Sequence, residues 1–113
     1  TTTAIATATT AIRESLSAQA GLVTLSERGG WLHDAPGQHE RIPAHPREIN
    51  DVSGAGDTVI ATASVLMAAG VPLRICAAVA NLAGGLVCEN VGVVPVDLKR
   101  LLAEVKPLEA ALE

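Results

Sequence analysis

The sequence predicts an α/β layered domain, and three observations lead there. A short aliphatic stretch, Leu22-Val23-Thr24-Leu25, is followed by a hairpin pattern and then by three successive helical patterns. Apolar residues make up 49% of the chain but aromatic ones only 1%, so the core must be built from Ala, Val, Leu and Ile, which suits helices stacked on a sheet. A length of 113 residues fits one small domain with a modest core, so residues 1–113 read as a single domain.

The elements follow in order. Thr10 is placed to cap a helix over Ala11 to Ala20, with Ile12 and Leu16 on one face and Gly21 as its stop. Leu22 to Leu25 reads as a buried strand, and Glu27-Arg28-Gly29-Gly30 as a turn. Trp31-Leu32-His33 and Glu40-Arg41-Ile42-Pro43 form the arms of a hairpin around Ala35-Pro36-Gly37, with Trp31 packing the hairpin onto the rest of the domain. His45 to Asn50 is polar, carries Pro46 and reads as loop. Ser53-Gly54-Ala55-Gly56-Asp57 opens an apolar helix over Thr58 to Ala69 that stops at Gly70. Pro72 starts the next helix, which runs to about Glu89 and is apolar on nearly every side, as a sandwiched helix must be. A last helix begins at the N-cap Asp97 and is interrupted by Pro107. The first helix and strand read as the end of a βαβ series.

Several functions are excluded. A net charge of −4 with scattered basic residues is no footprint of a nucleic-acid binder. The most apolar run, Ile75 to Val87, is interrupted by Asn81 and is too short for a membrane span. The N-terminus lacks the basic and apolar regions of a signal peptide. Cys76 and Cys88 lie in one helical pattern, roughly 18 Å apart along its axis, beyond the ~7 Å that a disulfide allows. Free, buried thiols in a reducing compartment, the cytoplasm, are expected. His33, His39 and His45 recur too far apart for a zinc site and read as surface residues of the hairpin.

The segment Asp51-Val52-Ser53-Gly54-Ala55-Gly56-Asp57 carries the most chemistry. Two glycines at a helix start leave N–H groups bare, and the helix dipole adds about half a positive charge there. Such a tip holds anions, phosphate above all. An aspartate in the same turn is redundant for binding phosphate. It makes sense if a substrate hydroxyl must lose its proton beside a phosphoryl group. Without flanking context, glycines for close packing and an aspartate complementing the dipole would describe the same residues.

The flanking residues decide between the two. Asp51 to Asp57 resembles the Asp-Thr-x-Gly-Ala-Gly-Asp signature of ribokinase-type (PfkB-type) sugar kinases, with Val52 in place of the threonine. Val52-Ser53 and Thr58-Val59-Ile60-Ala61-Thr62, with Asn81-Leu82-Ala83-Gly84-Gly85 and Gly92-Val93-Val94-Pro95, look closest to one branch: the D-glycero-β-D-manno-heptose 7-phosphate kinases, including the kinase half of bifunctional heptose kinase/adenylyltransferases. The resemblance implies the C-terminal portion of a ribokinase-like three-layer α/β/α fold and ATP-dependent phosphoryl transfer to a sugar hydroxyl. It further implies Asp57 as general base and Gly54, Ala55 and Gly56 as the anion hole. Asp51 and Ser53 stand where such kinases often hold a monovalent cation, potassium among them.

Thr24-Leu25-Ser26-Glu27-Arg28-Gly29 resembles the family's Thr-Leu-Gly-x-x-Gly turn against the ATP phosphates, with Ser26 for the first glycine. No Walker-type lysine motif occurs. Asn81 is the one strongly polar residue between Arg74 and Glu89. A helix-to-helix hydrogen bond would explain it, and so would the asparagine that such kinases place near the adenine. Gly92 and Val93 are implied to line that same pocket.

The resemblance runs from Leu22 to about Leu102, and the Thr/Ala-rich residues 1–20 match poorly. By the family pattern the sugar pocket, the lid and the Asn-x-x-Glu element that helps hold Mg2+ belong to an N-terminal kinase half. Two hypotheses follow. One is part of a carbohydrate kinase acting on a sugar or sugar phosphate, the isolated chain being weak or inactive; ketohexose, pentose and nucleoside substrates stay open beside heptose 7-phosphate. The other is a non-catalytic remnant that binds nucleotide or self-associates. Apolar faces left uncovered favour a homo-oligomer.

Overall fold

The computed structural model describes residues 2–25, 29–45 and 47–112, with side chains described as far as residue 107. Seven elements follow in order: α1 (Thr2–Ser15), β1 (Gly21–Thr24), β2 (Gly30–Ala35), β3 (Gln38–Ile42), α2 (Ala55–Ala68), α3 (Leu73–Val87) and α4 (Leu98–Leu112). They fall into two compact units, divided between Pro43 and Ala44.

In the first unit α1 packs against an antiparallel sheet of order β1-β2-β3. The helix is described from Thr2, nine residues before the expected Ala11, and ends at Ser15, ahead of the expected Ala20. Its threonines account for the discrepancy. Thr7 and Thr9 turn their hydroxyls back onto the carbonyls of Thr3 and Ile5, at 2.9 and 2.7 Å, so the hydroxyls are satisfied within the helix, while packing of α1 on β1 and β2 overrides the low propensity. Gly21 is the first residue of β1 rather than a helix stop, and a Cβ there would come 3.2 Å from the Thr9 methyl.

The expected hairpin forms, with an irregularity in its register between His33 and Ala35. Ala35 pairs with Gln38 across Pro36-Gly37, and Gly37 has φ 76, the left-handed geometry that follows proline in a tight turn. His33 lies opposite His39, and Trp31 sits two residues along on the same face. The histidines correct the expectation of surface residues. His33 is 1% exposed and stacks on His39 with ring centroids 4.0 Å apart. Trp31, also buried, donates its indole N–H to His39 Nδ1 at 2.9 Å. His33 Nδ1 lies 3.0 Å from the Gln38 carbonyl, so it carries the proton, and Nε2 faces an interior with no partner among the described residues. Of the three, only His45 is exposed.

The second unit is helical, with α3 at its centre. Ten of its fifteen residues are buried, from Cys76 to Val87, which fits its apolar circumference. Val79, Leu82, Ala83, Leu86 and Leu101 form the core, with Leu66, Ile75, Val96 and Val105 packed around them. Two glycines set the packing of α3. A Cβ on Gly84 would stand 2.6 Å from Val59 Cγ2 of α2, and one on Gly85 would stand 2.8 Å from Arg47 Nε. Cys76 and Cys88 are free and buried, and burial pushes both thiols up from their ordinary pKa.

Helix ends follow the sequence signals where a side chain or glycine sets them. Gly70, at φ 83, closes α2 with N–H bonds from Gly70 and Val71 to the carbonyls of Met67 and Leu66. Asp97 Oδ1 caps α4 by accepting the N–H groups of Lys99 and Arg100 at 3.0 and 3.3 Å. Pro107 does not interrupt α4, which continues to Leu112. Ala103, whose carbonyl the proline cannot bond, is exposed, so solvent takes the released group.

Candidate active site

The glycine-rich turn is built onto the C-terminal end of α3. The N–H groups of Asn50 and Asp51 both donate to the Cys88 carbonyl, at 2.8 and 3.2 Å, and Asn50 Nδ2 donates to the Glu89 carbonyl at 2.7 Å. These bonds occupy carbonyls that a helix end leaves without partners. They also fix the direction in which the chain enters the turn.

Asp51 then closes the turn on two sides. Its Oδ1 accepts the N–H and the hydroxyl of Ser53, at 2.9 and 2.6 Å, and its Oδ2 accepts the Gly92 N–H at 2.8 Å. The Ser53 hydroxyl, then the Gly92 and Ser53 N–H groups, pull the Asp51 carboxyl down to about 2. Gly54 follows as the N-cap of α2 at φ 76, in left-handed geometry, and a Cβ there would approach Val93 Cγ1 to 3.2 Å. Nothing lies within 4 Å of where a Gly56 Cβ would stand.

No acceptor among the described residues takes the N–H groups of Gly54, Gly56 and Asp57. The Ala55 N–H differs, since it donates to the Val52 carbonyl at 3.2 Å. Asp57 sits in the first turn of α2 with its side chain exposed. The structure therefore brings together an open, positively polarised helix tip and a solvent-facing carboxylate. That combination suits an anion losing or gaining charge beside a hydroxyl that gives up a proton.

Gly92, at φ 84, is joined to this turn by Asp51, while Val91 and Val93 on either side are largely exposed. Asn81 is half-buried in the middle of α3. The other residues expected on the nucleotide side belong to the first unit. Thr24 ends β1, and Gly29, at φ 89, returns its carbonyl to the Leu25 N–H at 2.7 Å. Ser26 lies outside the described residues.

Sequence reasoning missed an ion cluster beside the turn. Arg47, 8% exposed at its side chain, pairs with Glu89 at 2.5 Å and Glu104 at 2.7 Å, and Arg100 pairs with Glu89 at 2.7 Å. Burial alone would lower the Arg47 pKa, but the hydrogen bonds and charges of Glu104 and Glu89 outweigh it and raise it. The residues are 57 positions apart at the extremes, so no local pattern could announce them. Among the described residues no group of three or more His, Cys, Asp or Glu side chains is placed to hold a metal ion. No helix of the described residues is long and apolar enough to cross a membrane.

Comparison with known proteins shows the family. Residues 1–99 match the model of the pfkB family of carbohydrate kinases, so the likeness takes in the Thr/Ala-rich start as well as the motifs. The bifunctional protein HldE of Rhodospirillum rubrum is 43% identical over 90 residues, covering 80% of this chain, and that of Magnetococcus marinus is 46% identical over 90 residues. The chain spans 18% of the length of each. Among solved structures, Arabidopsis thaliana ribokinase complexed with ribose and ATP superposes with a TM-score of 0.73 at 28% identity, over 83% of this chain and 31% of that one. Escherichia coli phosphofructokinase-2 in complex with potassium gives a TM-score of 0.79 at 19% identity, over 88% of this chain and 32% of that one, a likeness of fold.

Proposed function

From the premise that this chain belongs to the pfkB family of carbohydrate kinases, we propose that it carries the proton-abstracting and nucleotide-binding part of an enzyme that phosphorylates a sugar hydroxyl with ATP. The observation that carries the proposal is the exposed Asp57 carboxylate in the same helical turn as the unpartnered N–H groups of Gly54 and Gly56.

In this reading Asp57 takes the proton from the sugar hydroxyl as its oxygen bonds to the γ-phosphorus. The bond from that phosphorus to the bridging oxygen breaks, and ADP leaves with the electron pair. Charge on the transferred group is met by the N–H groups of Gly54 and Gly56 and the dipole of α2. Ala55 contributes by its small side chain more than by its N–H, which already has an acceptor. By resemblance to the family's motifs, Thr24 and Gly29 are proposed to serve the ATP phosphates and Asn81 and Gly92 the adenine, while Ser26 lies outside the described residues.

The 43% and 46% identities to bifunctional HldE proteins favour the heptose branch, and with it the anomeric hydroxyl of heptose 7-phosphate as acceptor. Mg2+ entering with ATP would neutralise phosphate charge. By the family pattern, an Asn-x-x-Glu element of the N-terminal kinase half is proposed to help hold it. A monovalent cation at Asp51 and Ser53 fits poorly. Oδ1 of Asp51 already accepts two hydrogen bonds and Oδ2 one, so no step is assigned to such an ion. A cytoplasmic enzyme agrees with the free thiols of Cys76 and Cys88.

A second reading rests on α2. Ile60, Val65 and Met67 are 66%, 69% and 53% exposed. In the kinase reading these side chains are covered by the N-terminal half; in a remnant they would drive self-association. Incubation of the chain and of the full-length protein with ATP and heptose 7-phosphate tests both readings. A heptose bisphosphate made by the full-length protein supports the kinase. No transfer by it, with the chain sedimenting as an oligomer, supports the remnant.

A further inference from the structure

We propose that Arg47 is a positioning residue for phosphoryl transfer, one that holds the chain entering the glycine turn against the C-terminal end of α3. The inference rests on the kinase reading of Asp57 but draws on a different set of contacts. Between Arg47 and Gly54 the chain has no helix or strand of its own. Three anchors fix it: the ion pairs of Arg47, the bonds of Asn50 and Asp51 to Cys88 and Glu89, and the Asp51 carboxylate on Ser53 and Gly92.

Arg47 is the anchor that reaches furthest. Its guanidinium joins Glu89, just past the end of α3, to Glu104 in the second turn of α4, and Arg100 closes the cluster on Glu89 through Oε1 at 2.7 Å and Oε2 at 3.3 Å. Two arginines face two glutamates, so the cluster is neutral as a whole. Without Arg47, two carboxylates would face one remaining guanidinium, that of the half-exposed Arg100. The Arg47 stem crosses α3 where residue 85 is glycine, and a Cβ there would stand 2.8 Å from Nε and 3.3 Å from Cδ. Gly85 is thus the slot through which the arginine reaches its partners.

A displacement of about 1 Å at a reacting group can lower a rate by roughly 10²-fold. The turn carrying Asp57 begins seven residues after Arg47 and inherits any shift in that anchor.

The test is made in the full-length kinase, with Arg47→Met, Arg47→Lys, Gly85→Ala and the double variant Arg47→Met/Gly85→Ala. Arg47→Met is expected to lower kcat by about 10- to 100-fold while KM for ATP changes little, and Arg47→Lys to recover much of the loss. Gly85→Ala should reproduce the loss while keeping the charge, and in the Arg47→Met background it should add nothing further. Amide exchange read on the same proteins should quicken over residues 50–58 and stay unchanged over 76–87. The proposal is overturned if kcat of Arg47→Met, measured well below its melting temperature, equals that of the parent. It is equally overturned if exchange quickens over both segments alike. Full turnover in Asp57→Asn would remove the kinase reading instead, and the exchange pattern would still decide whether Arg47 anchors the turn.

Discussion

The carboxylate of Asp51 accepts the backbone N–H of Gly92 at 2.8 Å across 41 residues of sequence, and so ties the start of the glycine turn to the loop after α3. The other oxygen of the same carboxylate holds Ser53. One side chain therefore ties the tip proposed to bind phosphate to the loop proposed to line the adenine. Its tie to Gly92 has a pH signature. Asp51 is pulled from an ordinary 3.8 to about 2, so its stabilising contribution is fully present above pH 4 and is lost as pH falls through about 2. The melting temperature of Asp51→Asn should lie below that of the parent by a constant amount above pH 5, and the gap should close towards pH 2. A gap independent of pH would show that the charge on Asp51 is not what these bonds hold.

Gly84 allows α2 and α3 to touch. Gly84→Ala places a methyl group 2.6 Å from Val59 Cγ2 and is expected to cost about 1–3 kcal/mol in urea unfolding. Val59→Ala in the same chain should recover part of that loss, because the clash is with that side chain. Additive losses in the double variant would mean that the two helices do not meet there.

The hairpin has its own check in Trp31. Trp31→Phe keeps most of the buried ring but removes the indole N–H that His39 accepts. A loss of about 0.5–1.5 kcal/mol is expected, followed by circular dichroism since Trp31 is the chain's single tryptophan. An unchanged stability would place His39 outside the hydrogen-bonding core of the sheet.

Asn81→Leu separates two explanations for a polar residue inside an apolar helix. If Asn81 serves the nucleotide, the variant of the full-length protein should bind ATP more weakly by about 10-fold or more while sugar binding is unchanged. A fall in melting temperature with unchanged ATP affinity would assign Asn81 to helix packing.

What the sequence announced and what it hid divide along physical lines. The hairpin turn, the capped start of α4 and the Gly70 stop of α2 all depend on residues within five positions of one another, and each appears where expected. Helix α1 was hidden because threonine propensity argues against helix, and what overrides it is packing against β1 and β2, which no local pattern announces. His33 was hidden because a histidine in a hairpin gives no sign of its depth, and its stacking partner lies across the strand pair. The open start of α2 was legible because two glycines and an aspartate in adjacent positions leave bare N–H groups and an exposed carboxylate. The arginine cluster that steadies it was not, since Arg47, Glu89, Arg100 and Glu104 meet only in the folded chain.

The most direct measurement is the single-turnover rate of phosphoryl transfer from ATP to heptose 7-phosphate by the full-length protein, with Asp57 intact and with Asp57→Asn. With the carboxylate as general base, the substitution lowers that rate by roughly 10²–10⁴-fold and leaves ATP affinity nearly unchanged. An unaltered rate in Asp57→Asn would contradict the account, because the open helix tip would then act without the proton acceptor that the fold sets beside it.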